Sequence, residues 1–466
     1  VPSIAFLVAV IASSLAGSVV GFCAGLVPGL HMNNIAAAIT AYSGLTLAVF
    51  ATLCGVLGTD GAPVLVSCFV SSALIAHMFA GSVTSTYVGI PAEDVLSVLP
   101  AHRLAKAGLG HAAVLASAQG CLAGVLLGTL LMFPICAVMG PPVGFYDVLR
   151  QVMLLIVLIA SGVLLLSEGS RSLRPRARRQ DFVLRVLKAS AVLGSAGMLG
   201  LIVLRSDFYA CPIPDVPWLA QGFVPRSSLL LPMFAGLFGI PGLLLSLGSR
   251  TVLDVHFSPG LRSGHRPSLS ELVLSIIGGV IVGWLPGMTS GSAVALCSPG
   301  TDELSSKDDV KGSLRFIWLY SSISSAGAVF AVGALFVIFR ARSGSMDAVA
   351  YFLSEGSSSA PLASQLLPMT SMLLAMVLSA VVSYRVLAAS EAWLRRTRRL
   401  LCSKGLSIAS LVFVASLSIA LTGTRGVLLM VASSTLGMIP PLAGVRRIQL
   451  MGCLLVPIAV LLFELR

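Results

Sequence analysis

Apolar runs of roughly 20 residues, the length a helix needs to cross a bilayer, follow one another from Ile4 to Phe463. Their succession leaves few folds open. In hydrocarbon every backbone N–H and C=O must be paired within its own segment, so such a chain is a bundle of α-helices. The 466 residues are 56% hydrophobic and only 10% charged, and the mean hydropathy is +0.98, far from a soluble domain. At ~20 residues per span there is room for about 10–13 membrane-embedded helices. The expected fold class is all-α, polytopic, with broken or re-entrant helices, multi-pass in the cell membrane.

Charge sets the orientation. The surplus of 30 Lys+Arg over 18 Asp+Glu lies between the apolar runs. One block runs from Arg171 through Arg174, Arg176, Arg178, Arg179 and Arg185 to Lys188, a second from Arg385 to Lys404. Both are expected in the cytosol under the positive-inside rule, as are Arg103 and Lys106. Bases in this setting face anionic lipid, and no nucleic acid is implied. The nine cysteines are scattered through apolar runs without metal-binding spacing. The first run, VPSIAFLVAVIASSLAGSVVG, lacks a basic flank and is expected to be a helix, not a signal peptide.

Two runs are interrupted. In GFCAGLVPGLHMNNIAAAITA (21–41) an apolar run meets Pro28-Gly29, then His31, Asn33 and Asn34, and resumes at Ile35. In GGVIVGWLPGMTSGSAVALCS (278–298) Pro286-Gly287 is followed by Thr289, Ser290 and Ser292. Proline lacks an N–H and clashes with the preceding turn, and glycine bends at low steric cost. A break at membrane depth persists only where protein or water covers the freed backbone groups. The amides that open the second piece then carry partial positive charge, which favours an anion. Paired breaks, one in each half, point to a carrier's binding site. The candidate substrate residues are Gly29, His31, Asn33 and Asn34 with Gly287, Thr289, Ser290 and Ser292, meeting tip to tip near mid-membrane. Neutral donors avoid the ~2.5 kcal/mol or more that a permanent charge costs there. The plainer alternative is a pair of kinks that only pack.

Hydroxyls cluster in SVTSTYVGIP (82–91), followed by Glu93 and Asp94. Ser82, Thr84 and Ser85, with carbonyls freed by the breaks, are candidate cation ligands; the alternative is a hydroxyl packing face. GLFGIPGLL (236–244) suggests a third break at Gly239 and Pro241-Gly242, and TGTRG (422–426) a turn between two spans. The stretch 427–452 parallels 83–108. The expected organisation is therefore a first transmembrane repeat over 1–167, with its broken helix at 28–34 and a hairpin at 82–100. A basic cytosolic loop and connecting helices follow over 168–268. A second, inverted repeat over 269–466 holds the broken helix at 286–292.

The order of these motifs resembles the large permease of tripartite tricarboxylate transporters, TctA, with the archaeal branch nearest. The likeness runs through GLVPGLHMNN, GSVTSTYVGIPAEDVLSVLPAHRLAKAGLGHAAVLAS, LLLPMFAGLFGIPGLL, GGVIVGWLPGMTSGSAVAL and FIWLYSSISSAGAVFAVGALFVIFRARSG. The resemblance implies a secondary transporter, a symporter importing citrate-like carboxylates with a small membrane subunit and a binding protein. No cofactor is expected; the coupling ion is Na+ or H+, with Na+ favoured because no buried acid stands out. The expected partners are a small anionic substrate and membrane lipids, with a homodimer and the two accessory subunits left open. A carrier of a lipid-linked phosphate, such as a polyprenyl phosphate, is the alternative. An intramembrane enzyme is disfavoured, since HExxH, GxSxG and an intramembrane Asp pair are all missing.

Overall fold

The computed structural model describes residues 3–89, 98–169, 179–205, 229–248, 265–297, 309–354, 362–401 and 403–464. The turn expected around Pro91, Glu93 and Asp94, most of the basic block at 171–178, the Pro-rich loop at 207–226, the basic stretch at 250–264 and the acidic connector at 301–308 lie outside these residues. The described elements are helical. They comprise α1 (Ile4–Gly25), α2 (Met32–Ala41), α3 (Ser43–Leu57), α4 (Ala62–Tyr87), α5 (Val98–Lys106), α6 (Gly110–Met139), α7 (Phe145–Gly169), α8 (Arg179–Arg205), α9 (Leu230–Phe234) and α10 (Ile240–Gly248). After them come α11 (Leu269–Trp284), α12 (Ser290–Cys297), α13 (Val310–Ile338), α14 (Gly344–Ser354), α15 (Leu362–Ala388), α16 (Glu391–Leu401), α17 (Lys404–Ala443) and α18 (Gly452–Glu464). Ten of the helices are long and apolar enough to cross a membrane, or eleven if α2 and α3, bent by 86°, count as one broken span.

α4 and α13 form the centre: 83% and 78% of their most apolar windows are buried. α1 lies along α4 and α11 along α13, while α15 covers α4 and α6 covers α13. Glycine makes these contacts close. Gly17, Gly21 and Gly25 share one face of α1, and a Cβ on any of them would overlap the α4 backbone carbonyls of Phe69, Ala73 and His77 in turn. Gly279 and Gly283 bring α11 onto Ala326, Gly327 and Phe330 of α13 in the same way. In lipid, where apolar burial drives no association between helices, such close backbone packing and interhelical hydrogen bonds do that work. Hydroxyls supply the bonds: Ser13 to the Leu65 carbonyl at 2.6 Å, Ser379 to that of Ser72 at 2.7 Å and Ser325 to that of Cys121 at 2.9 Å.

The punctuation in the sequence is partly realised as breaks. α17 breaks at Gly423 (φ 61°, ψ −158°), inside the expected 422–426 turn. The expected third break at Gly239 and Pro241 is instead a π-helical turn, Ala235–Gly239, that joins α9 to α10 without interruption. A π turn widens the ladder by one residue and absorbs the missing proline N–H.

The outer layer is tied by one buried ion pair. Arg446 Nε meets Glu168 Oε2 at 2.7 Å, with side chains 10% and 1% exposed. The guanidinium also bonds Ser167, and Gln449 Nε2 donates to the Leu164 carbonyl at 3.1 Å. These bonds fasten the end of α7 to the turn that leads into α18. α18 in turn packs on α8.

Two outcomes follow for stability. Gly21→Ala forces α1 off α4 and is expected to destabilise the protein by about 1–3 kcal/mol, the usual range for overpacking. Gly44→Ala, whose Cβ would meet nothing within 4 Å, is the neutral control; thermal unfolding in detergent separates them. Glu168→Ala leaves a buried guanidinium without its counter-charge and is expected to destabilise by about 3–5 kcal/mol, with Glu168→Ala/Arg446→Met recovering most of the loss in the same assay.

Candidate functional site at the first helix break

Val27 to Leu30 closes as a β-turn, with the Leu30 N–H donating to the Val27 carbonyl at 3.3 Å. Pro28 takes the first central position and Gly29, at φ +79°, the second, the type II pattern that needs glycine there. His31 then caps α2: its Nδ1 accepts the Asn33 N–H at 3.1 Å. An accepting Nδ1 carries no proton, so a neutral His31 ring holds its hydrogen on Nε2. Asn33 turns the other way. Its Oδ1 accepts from the N–H and the hydroxyl of Ser345 at 3.2 and 3.3 Å, which holds the start of α14. Asn34 is 2% exposed, and its side chain makes no hydrogen bond among the described residues. α4 adds a residue to this cluster. The Gly25 face of α1 rests on the His77 backbone, and the His77 ring lies 6.2 Å from that of His31, centroid to centroid, tilted by 51°. His77 is fully buried, and among the described residues neither of its ring nitrogens has a partner.

The second break is capped by its own hydroxyls. Gly287 repeats the left-handed turn at φ +72°. Thr289 and Ser292 cap α12 reciprocally: Thr289 N–H donates to Ser292 Oγ at 2.9 Å, and Ser292 N–H to Thr289 Oγ1 at 3.2 Å. Ser290 and Ser292 are buried. The two breaks lean on different neighbours, Gly29 on Gly239 and Leu243, Gly287 on Leu455 and Ile458. Among the described residues α1 and α2 form no packed interface with α11 and α12. The expected tip-to-tip meeting is therefore not among the described contacts.

Beside the first break, α4 and α13 separate around a cavity of about 50 Å³. Ser82, Ser85 and Thr86 line it from α4, Ser117 from α6, and Ser321 and Ser324 from α13. Ser82 and Ser85 give their protons to the helix carbonyls of Phe79 and Ser82, at 2.7 and 3.1 Å, so their oxygens turn lone pairs outward. Thr84 lies elsewhere, bonding the carbonyls of Gly81 at 2.9 Å and Gly25 at 3.4 Å. At ~10–15 Å³ per water the space takes an ion with a few waters, or one carboxylate group. α5 closes its end: Ala101 lines it, and His102 Nδ1 sits 3.0 Å from the Thr86 carbonyl. Of the site, the sequence pointed to the α2 turn and the hydroxyls of α4. It gave no warning of His77, set in the apolar run LIAHMFAG, or of Ser321 and Ser324, although SSISS at 321–325 repeats the hydroxyl density of 82–86.

A model of the tripartite tricarboxylate transporter TctA family matches residues 11–452. An uncharacterised protein of Methanocaldococcus jannaschii is 23% identical over 335 residues, which cover 72% of this chain and 70% of that protein. No solved structure matches. A family match along nearly the whole length, on a bundle of ten or more apolar helices, makes the chain a multi-pass membrane protein of the TctA transporter family.

Proposed function

We propose that this permease is a cation-coupled secondary carrier of small organic anions of the di- and tricarboxylate class. The observation that carries the reading is the group of uncommitted polar atoms at the start of α2. His31 Nε2 and the Asn34 side-chain amide lie together there within an apolar bundle, on a helix start whose Asn33 and Asn34 N–H groups are capped by His31. They supply donors and a positive partial charge without a fixed cation. Thr289 and Ser292, bonded to each other, serve the fold of the second break more than the substrate. A Na+ ion fits the hydroxyl cavity, where Ser82 and Ser85 offer neutral oxygens of the kind hard cations take. The family's description as tripartite supports work alongside a small membrane subunit and a binding protein.

The two halves read as inverted repeats, longer in the first half than the motifs alone suggested. α1, α2 and α4 answer to α11, α12 and α13, and each Pro-Gly turn leans on the last helix of its own half, Gly29 on α10 and Gly287 on α18. On this reading the first repeat runs to Gly248, and each half lends a helix to cover the other's centre, as α6 does for α13 and α15 for α4. Inverted repeats around a central site are the usual frame for alternating access.

Counterflow of labelled citrate and succinate into proteoliposomes tests the reading, with uptake that responds to a cation gradient as the expected result. Asn34→Ala removes a hydrogen bond to a charged ligand, worth about 1.5–3 kcal/mol, and is expected to weaken half-saturation by roughly 10- to 100-fold. Thr289→Ala is expected to lower thermal stability and leave half-saturation near that of the parent. Absence of exchange with either acid under any gradient refutes the substrate class.

A further inference from the structure

His77 is the polar group that the proposed anion site leaves unexplained. A neutral imidazole buried without hydrogen bonds carries an uncompensated desolvation cost, and a leucine or methionine would fill the same space in α4 without it. Its surroundings narrow what it is for. The neighbouring His31 is committed: its Nδ1 must accept from Asn33 N–H to cap α2, so protonating that nitrogen breaks the cap. His77 has no bond to lose at either nitrogen. Of the two rings, it is the one that can take up a proton without disturbing a helix.

Charged and titratable groups on the elements packed around α4 do not compensate such a proton. α2 brings His31, and α14 brings Asp347 and Tyr351. α5 brings His102, Arg103 and Lys106, and α6 His111. α13 carries Lys311, Arg315 and Tyr320, α15 Tyr384 and Arg385, and α16 Glu391 and its arginines, while α1 and α3 add only Cys23 and Cys54. Of these, the His31 ring lies against that of His77, 6.2 Å away centroid to centroid, and neither Asp347 nor Glu391 forms an ion pair with His77 among the described residues. A proton there is stable only when an anion lies against it.

We propose that His77 carries a proton that is taken up with the substrate, bound when an anion occupies the amide end of α2 and released when it leaves. This proposal rests on the reading of that helix end as an anion site, and holds whether or not Na+ occupies the hydroxyl cavity. The lone pair of a ring nitrogen takes one H+ from water entering with the substrate. The imidazolium returns that H+ to water on the far side, and the ring ends the cycle neutral. Each ligand then raises the affinity for the other by the same factor, as linkage requires.

The test counts protons. Binding of citrate to the detergent-solubilised full chain is measured by calorimetry in two buffers of different ionisation enthalpy at neutral pH. The expected result is uptake of about one proton more per citrate in the wild type than in His77→Gln, which keeps the size and polarity of the site but cannot titrate. His77→Gln is expected to raise the half-saturation of citrate counterflow, and to remove the gain in affinity that the wild type shows as pH falls. Equal proton uptake in the two proteins, or citrate binding to the wild type with no uptake, overturns the proposal. Should the variant fail to fold, a protein with the four histidines outside the pair replaced by Gln leaves two imidazole ¹⁵N signatures. The His77 ring must become cationic when citrate is added; two neutral rings, or a cationic His31 with His77 neutral, overturn the proposal. A wild type that exchanges neither citrate nor succinate instead removes the anion reading, and this inference with it.

Discussion

An interrupted helix inside a bilayer is tolerable only if something covers the peptide groups it frees, and that demand organises this molecule. The glycine face of α1 ends at the first break, where Gly25 touches the backbone of His77. Close backbone packing thus carries α1 up to the turn, and α4 walls the turn on one side. α10 and α14 wall it further, through Leu243 against Gly29 and Ser345 against Asn33. The second break has the same support from α13 and α18. The most buried helices are therefore those that stand against the interruptions, because they replace the water those peptide groups would otherwise need.

The two breaks use this shelter differently. At the second, Thr289 and Ser292 spend their hydroxyls on each other and on α12. At the first, one His31 nitrogen is used for the cap while neither nitrogen of the neighbouring His77 ring has a partner among the described residues. A buried polar group without a partner is rare, and one set beside a helix start is hard to account for by packing. That contrast, more than the resemblance between the two Pro-Gly motifs, locates the proposed anion site.

Much of the architecture was legible because it is written in local rules. Run length gave the spans, Pro-Gly gave both left-handed turns, and the glycine in TGTRG gave the kink at Gly423. The π turn at Ala235–Gly239 was not legible, because a helix can absorb a proline by widening as readily as by stopping. The neighbours of each break depend on how distant helices cross, which motifs do not encode. His77 escaped notice for a related reason. In an apolar run a histidine reads as an exception to be packed away, and only the fold brings it beside His31. The cavity serines of α13 were equally hidden, since membrane helices use serine for packing and for binding alike.

Asn33 stands between two bonds. Its side chain grips the first residues of α14, and its backbone N–H fixes the His31 ring. The start of a peripheral helix and the orientation of an imidazole are thereby linked through a single asparagine. If α14 tilted away from α4, it would pull on that link and swing the His31 donor out of register. The same lever would work in reverse, so an occupant that pinned the ring would also brace α14, whose leading edge is otherwise held by its Ser343 cap and by Met346 in the core.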